Sequence, residues 1–328
     1  MEAFLERCGW TEAAREPLAG DASFRRYTRL RQEGRTAMLM DAPPPQEDVR
    51  PYLAIARHLS ACGYAAPCLL GEDAAQGFVL LEDLGDALFT PALAQDNRDE
   101  PALYRAAVGV LAAWAKNPAM RNGKLPMAPY DTAAYLREAE LFAEWLLPQL
   151  LPAAQRETAR AEYSQLWRDI LRENSLPAEI FVHRDYHADN LIWLPKRQGV
   201  ARVGLLDFQD ALVGHAAYDL VSLLEDARRD VPKALAAELR EQYMRETGVN
   251  REDFLRAYAV LGAQRNCKIL GIFVRLWRRD GKAHYLSYLP RVWRHLEGDL
   301  QHPALERLRA WMDRTLPEAA RGALPVHG

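Results

Sequence analysis

His183-Arg184-Asp185-Tyr186-His187-Ala188-Asp189-Asn190 sits between two short apolar runs, Ile180-Phe181-Val182 and Leu191-Ile192-Trp193-Leu194. A third run, Val203-Gly204-Leu205-Leu206, ends on Asp207-Phe208. The pattern reads strand, loop, strand, strand, aspartate. Within the loop the spacing is H-x-D-x-x-x-x-N. Transfer of a phosphoryl group to a hydroxyl uses these side chains at this spacing. Asp185, at the loop tip, would orient the attacking hydroxyl and take its proton. Asn190 offers a neutral oxygen and Asp207 an anionic one, a pair that suits Mg2+ among phosphate oxygens. A lone loop aspartate is commonly a turn residue, so the weight rests on the three together. Zinc fits poorly. His183 and His187 lie on a predicted loop rather than a helix, and no glutamate takes the base position of H-E-x-x-H. His183 is expected to brace the loop through hydrogen bonds, and His187 to be a solvated loop residue.

These groups need elements to hold them. Residues 1 to about 85 read as mixed α/β. After an N-terminal helix comes Gly20-Asp21-Ala22-Ser23-Phe24-Arg25-Arg26-Tyr27, a tight turn inside a hairpin. Its glycine and small residues would let backbone N–H groups approach phosphates. Ser23 is the hydroxyl candidate there, with Phe24, Arg25 and Arg26 beside it. A strand over Ala37–Asp41 is ended by Pro43 to Pro45. Asp48 to Cys62 reads as a helix stopped by Gly63. Phe78–Leu81 reads as a buried strand leading into Glu82-Asp83-Leu84-Gly85-Asp86. There the backbone around Glu82 and Leu84 could pair with an adenine. Beyond residue 100 the apolar spacing is helical: 102–115, 132–147, 162–171, 217–228, 233–247, 251–277, 284–297 and 303–315. The fold class expected is α+β. A small β-rich N-terminal lobe would span residues 1–85, with a hinge near 82–90 and a larger, mostly helical lobe over 91–328.

The chain has 328 residues, 49% of them hydrophobic, enough for a sizeable core and two lobes. A net charge of −3 gives no global pull towards nucleic acid or anionic membrane. The opening MEAFLERCGW lacks a cationic start followed by an apolar core, so it does not read as a secretory signal, and no apolar run approaches a membrane span. The four cysteines, Cys8, Cys62, Cys68 and Cys267, match no zinc spacing and read as free buried thiols. A cytoplasmic protein is expected, with no nucleic-acid or membrane partner.

The H-x-D-x-x-x-x-N loop at His183–Asn190, the L-L-D-F segment around Asp207 and the later Tyr218-Asp219-Leu220 resemble the aminoglycoside phosphotransferase/choline kinase-like superfamily. The likeness covers nearly the whole chain. It implies a protein-kinase-like fold, with ATP and Mg2+ as cofactors. Asp219, opening a helix, would hydrogen-bond back to the catalytic loop. Within that superfamily, G-D-A-S-F-R-R-Y, M-D-A-P-P, L-L-E-D-L-G-D and H-R-D-Y-H-A-D-N-L-I-W-L are similar to the bacterial anomeric kinases of N-acetylmuramate and N-acetylglucosamine in peptidoglycan recycling. By that resemblance the product is a sugar 1-phosphate, which a sugar-phosphate uridylyltransferase would consume. Kinases of this fold usually carry a lysine on the third small-lobe strand, yet Ala37-Met38-Leu39-Met40-Asp41 has none. Arg25 or Arg26 could supply the missing charge, or Mg2+ could carry more of it.

The stretch from Gly262 to Glu297 is rich in Arg, Lys and aromatic residues. Arg265, Lys268 and Arg275 share one helical face and could meet an anionic sugar in one cleft, although charged helix faces are commonly just solvated. Other acceptors in the class are an aminoglycoside, choline, homoserine or a pentose. A nucleotide-binding pseudokinase is favoured by the missing lysine and opposed by the intact Asp185, Asn190 and Asp207.

Overall fold

A computed structural model of the chain describes residues 1–18, 24–95, 99–124, 127–316, 321, 322 and 324. In chain order the elements are α1 (Glu2–Arg7), β1 (Ala14–Pro17), β2 (Arg26–Gln32), β3 (Arg35–Asp41), α2 (Arg50–Ala61), β4 (Leu69–Asp73), β5 (Phe78–Glu82), α3 (Phe89–Gln95), α4 (Glu100–Lys116), α5 (Thr132–Leu141), α6 (Leu147–Leu150) and α7 (Ala153–Glu173). There follow β6 (Ile180–Val182), β7 (Leu191–Trp193), β8 (Val203–Leu205), β9 (Leu212–Gly214), α8 (Ala217–Leu224), α9 (Lys233–Thr247), α10 (Arg251–Asp280), α11 (Leu289–Asp299) and α12 (Glu306–Thr315). Two compact units result: Met1–Ala113 with Ala188–Ala211, and Trp114–His187 with Leu212–Gly328.

The first unit is built on a five-stranded sheet in the order β1-β2-β3-β5-β4, antiparallel throughout. Side chains alternate across it with the period of two that a strand imposes. On one face Leu30, Ala37, Leu39 and Leu80 pack with Phe4, Leu5 and Trp10 from the N-terminal segment. On the other face Tyr27, Arg29, Met38 and Leu81 line a cavity. The register sets Arg29 opposite Met38, and Met38 opposite Leu81. The β7–β8 hairpin belongs to this unit: Trp193 N–H donates to the Ala87 carbonyl at 2.8 Å and Leu205 N–H to that of Ala65 at 2.9 Å. The lobe boundary expected at residues 82–90 therefore falls inside the first unit. It also takes in α3, most of α4 and the hairpin.

The second unit is helical around α10, which packs against α5, α8 and α11. This 30-residue helix has a local reason to start and stop. Asn250 Oδ1 accepts from the Asp253 N–H at 3.0 Å, and Gly281 closes the far end in the left-handed conformation, φ 70°. A Cβ on Gly271 would lie 2.3 Å from the Leu141 backbone. Only glycine lets α10 approach so closely the five-residue π turn, Phe142–Leu146, that joins α5 to α6. The pair β6–β9 sets Ile180 opposite Gly214 and leads directly into the loop at His183.

All four cysteines are free, but only Cys267 is buried; Cys8 and Cys62 are partly exposed and Cys68 is exposed. The expectation of buried thiols thus holds for Cys267 alone. Among the described residues no helix is long and apolar enough to cross a membrane.

Candidate active site

In the first unit the cavity beside the sheet has a volume of about 760 Å³. Its lining includes Arg25, Glu82, Leu84, Asn190 and Asp207, five of the residues singled out from sequence. Asn190 and Asp207 are brought together by the hairpin: Leu206 N–H donates to the Asn190 carbonyl at 3.0 Å. Asp207 sits at φ 59°, a backbone state that costs a non-glycine residue roughly 1–2 kcal/mol. The next residue fixes it there, because the buried Phe208 ring stacks on Tyr52 with centroids 4.7 Å apart. The Asp207 side chain is 49% exposed. Its Oδ1 accepts from Gln209 Nε2 at 2.9 Å. Asp207 and Asn190 together give one wall hard oxygen donors.

Arg25 lies 3.8 Å from Asp207 and 3.4 Å from Glu47. Arg26 is exposed at the start of β2, opposite Asp41, and is not part of the cavity lining. Phe24 is exposed, and its N–H donates to Glu47 at 3.3 Å. Ser23 lies outside the described residues. The Glu82 N–H donates to the Cys68 carbonyl at 2.8 Å, and the Glu82 carboxylate pairs with Arg197. Sequence reasoning missed Arg29. It is 5% exposed and stands directly across from Met38, on the strand that lacks a lysine. Its guanidinium lies 2.8 Å from Asp83 and 2.6 Å from Asp86. The available signal was the alternation of Tyr27 and Arg29 along β2.

In the second unit the loop tip is fixed from below. Asp219 Oδ2 accepts from the His183 N–H at 2.6 Å and Oδ1 from the Arg184 N–H at 2.9 Å. The expected return bond from Asp219 is thus present. Burial disfavours charge on Asp185, but Lys268 foremost, then His187 and His183, and last Arg184, more than offset it and hold the carboxyl below its usual range. His187 is buried, not solvated as expected. Burial first, then Arg228 with Nη1 at 3.3 Å from Nε2, pushes its imidazole down to about 3. It is therefore neutral at ordinary pH. His183 is also fully buried, edge-on to Tyr186.

Lys268 Nζ lies 3.1 Å from Glu138 and donates to the Tyr218 hydroxyl at 3.3 Å. Arg184 pairs with the same Glu138, which also accepts from the Tyr130 hydroxyl. Tyr130 and Tyr218 hydroxyls are 3.2 Å apart, closing a ring. Despite burial, Lys268 and Arg184 hold the Glu138 carboxyl below its usual value. Arg265 is buried and donates to the Glu225 carbonyl at 3.3 Å. Arg275 lies two turns beyond Lys268, about 10 Å along the axis. Lys268, of the three predicted cations, acts on Asp185. Glu138 was missed, yet it carried a signal: it falls between the buried Tyr135 and Phe142 on the apolar stripe of its helix, where a charge needs partners.

The sequence pattern described as the phosphotransferase enzyme family matches residues 14–260. An N-acetylmuramate/N-acetylglucosamine kinase from Caulobacter vibrioides is 39% identical, covering 97% of this chain and 96% of its own. Another from Pseudomonas aeruginosa is 37% identical, covering 95% of this chain and 92% of its own. In fold, the chain is similar to choline kinase LicA from Streptococcus pneumoniae, with a TM-score of 0.62 at 14% identity over 92% of this chain and 98% of that one. The match across most of the chain and the near-full-length relatives agree with the geometry of the two units: the chain belongs to the phosphotransferase enzyme family.

Proposed function

We propose that the chain is an ATP- and Mg2+-dependent kinase that phosphorylates the anomeric hydroxyl of N-acetylmuramate or N-acetylglucosamine, giving the sugar 1-phosphate. The observation that carries this reading is the 39% identity, over 97% of the chain, to a kinase of those two sugars. The family membership and the residues at both sites support the chemistry.

The cofactors fit the residues present. A cavity of about 760 Å³ is in the size range that encloses a small-molecule ligand. Asp207 and Asn190 would hold Mg2+ through one carboxylate and one amide oxygen. Mg2+ favours such partial protein ligation, with phosphate and water completing its shell. Among the described residues no group of three or more His, Cys, Asp or Glu is arranged to cage a metal. When bound, the ion neutralises charge on the phosphates. Arg25 would add a cation beside Asp207, in place of the absent strand lysine. Leu84 and Met38 give the cavity apolar walls for a base.

Asp185 orients the sugar hydroxyl and accepts its proton. A carboxyl held low in pKa is ionised at neutral pH and ready to accept. Lys268 keeps it so and is itself balanced by Glu138. The sugar 1-phosphate would pass to a uridylyltransferase.

The test is a panel of N-acetylmuramate, N-acetylglucosamine, kanamycin, choline and homoserine with ATP and Mg2+, followed by phosphorus NMR of the product. An acid-labile sugar 1-phosphate from the two amino sugars is expected. A stable 6-phosphate, or faster turnover of kanamycin or choline, would replace this substrate with another.

A further inference from the structure

We infer that Arg184 is the positioning residue for Asp185. The inference rests on the reading of Asp185 as the base. Arg184 stands immediately before that aspartate with φ 76°. This is a region L side chains avoid and glycine enters freely. An arginine there bears a backbone cost that surrounding contacts must offset.

Those contacts also give the side chain a use. The backbone of Arg184 is held on both sides: its N–H donates to Asp219 at 2.9 Å and its carbonyl accepts from the Ser222 hydroxyl at 3.2 Å. The guanidinium pairs with Glu138 of α5 and lies over the Tyr130 ring, 5.3 Å from its centroid. Glu138 in turn pairs with Lys268 of α10. One side chain thus ties the loop tip to α5 directly and, through Glu138, to α10. The pivot it locks is the residue whose dihedrals set the direction of Asp185. The charges also balance, with Arg184 and Lys268 against Glu138 and Asp185. Removing the guanidinium unlocks the pivot and leaves Lys268 to be shared by two carboxylates. The lost quantity is aim rather than affinity, and misplacing a reacting group by an ångström can cost about a hundredfold.

The test uses Arg184→Gly in the full-length enzyme, since glycine suits this φ while lacking the guanidinium. The expected result is a kcat lowered roughly tenfold to a hundredfold, with KM for ATP and for the sugar each within about twofold. The melting temperature should stay at or above that of Arg184→Ala, which retains the backbone strain. A merely structural role predicts the opposite, that kcat recovers from Ala to Gly as stability does. Arg184→Lys, which keeps a charge near Glu138, should restore part of kcat. If Arg184→Gly does not fold, Arg184→Asn, also at ease with positive φ, gives the same comparison. A glycine or asparagine variant with kcat within threefold of wild type overturns the inference. Asp185→Asn run alongside separates the two readings. If it keeps wild-type kcat, the base assignment itself falls; if it is inactive while Arg184→Gly is not, only the role of Arg184 falls.

Discussion

Asp207 and Arg184 both hold the left-handed backbone conformation, at φ 59° and 76°, but the two units around them use it differently. In the first unit the strained residue presents its own carboxylate, 49% exposed, to a wide cavity. Its nearest cation, Arg25, stands off at 3.8 Å. In the second unit the strained residue turns its side chain away, into a closed ring of Glu138, Lys268, Tyr130 and Tyr218. The first arrangement leaves ligation to be completed by what binds. The second is complete before anything binds, as a base that must be aimed and kept ionised requires.

The sharpest way to break this contrast is at the base. Asp185→Asn is expected to lower kcat by about 10²–10⁴-fold with only a modest fall in melting temperature, since Asp219 still holds the loop backbone while the favourable charge on the tip carboxylate is lost. Steady-state kinetics beside calorimetry checks this; near-wild-type kcat would remove Asp185 from the role.

A stability test comes next, on the first unit. Arg29→Met would leave Asp83, whose side chain is 6% exposed, without its buried cation. Breaking such a pair is expected to cost about 3–5 kcal/mol, read by denaturant unfolding. A loss below about 1 kcal/mol would mean the pair is screened as at a surface.

Smaller effects separate the two adjacent arginines. Arg25 lines the cavity and Arg26 does not. Arg25→Ala should raise KM for ATP about tenfold, the order of one charge-assisted hydrogen bond. Arg26→Ala should stay within about twofold. Equal effects would place phosphate binding outside the cavity as described.

The least effect is expected from acid. A lowered folded pKa means a proton must be forced on at lower pH, so Asp185 stays ionised as pH falls towards the ordinary carboxylate range. His187, at about 3, is already neutral. The loop's anchor is the group that changes across the usual imidazole range: burial pushes the Asp219 carboxyl up to about 7, and it accepts from the His183 and Arg184 N–H groups. A shallow fall in kcat as pH drops through about 7 is therefore expected, and a flat profile there would mean that protonating Asp219 leaves the aim of Asp185 unchanged.

What could be read in the sequence was what is local. The loop spacing at His183–Asn190 gave the phosphoryl-transfer reading, and α9 runs over the span its apolar period predicts, ended by Gly248 at φ 69°. Edge and short strands were not legible. β1 is Ala-Arg-Glu-Pro, exposed throughout, with no apolar alternation to read. β4 depends on pairing with β5 across a register shift between Leu69 and Gly71. The expected helix over 284–297 divides into a 3-10 turn, Ala283–Tyr288, and α11, because Pro290 suits only a first turn. Long-range partners were the least visible. Glu138 and Lys268 lie 130 positions apart. Arg29 became a cavity residue only through its register with Met38.

The proposed division between a unit that binds nucleotide and a unit that aims the base is tested most directly by titrating ATP with Mg2+ into Asp185→Asn, with Asp207→Ala as the companion, by isothermal calorimetry. Asp185→Asn should bind MgATP within about threefold of wild type despite lost turnover. Asp207→Ala should lose roughly tenfold or more, and only when Mg2+ is present, as expected for removal of one anionic metal ligand. If Asp185→Asn weakens MgATP as much as Asp207→Ala does, or if Asp207→Ala leaves the Mg2+ dependence unchanged, the two units do not divide the chemistry in this way.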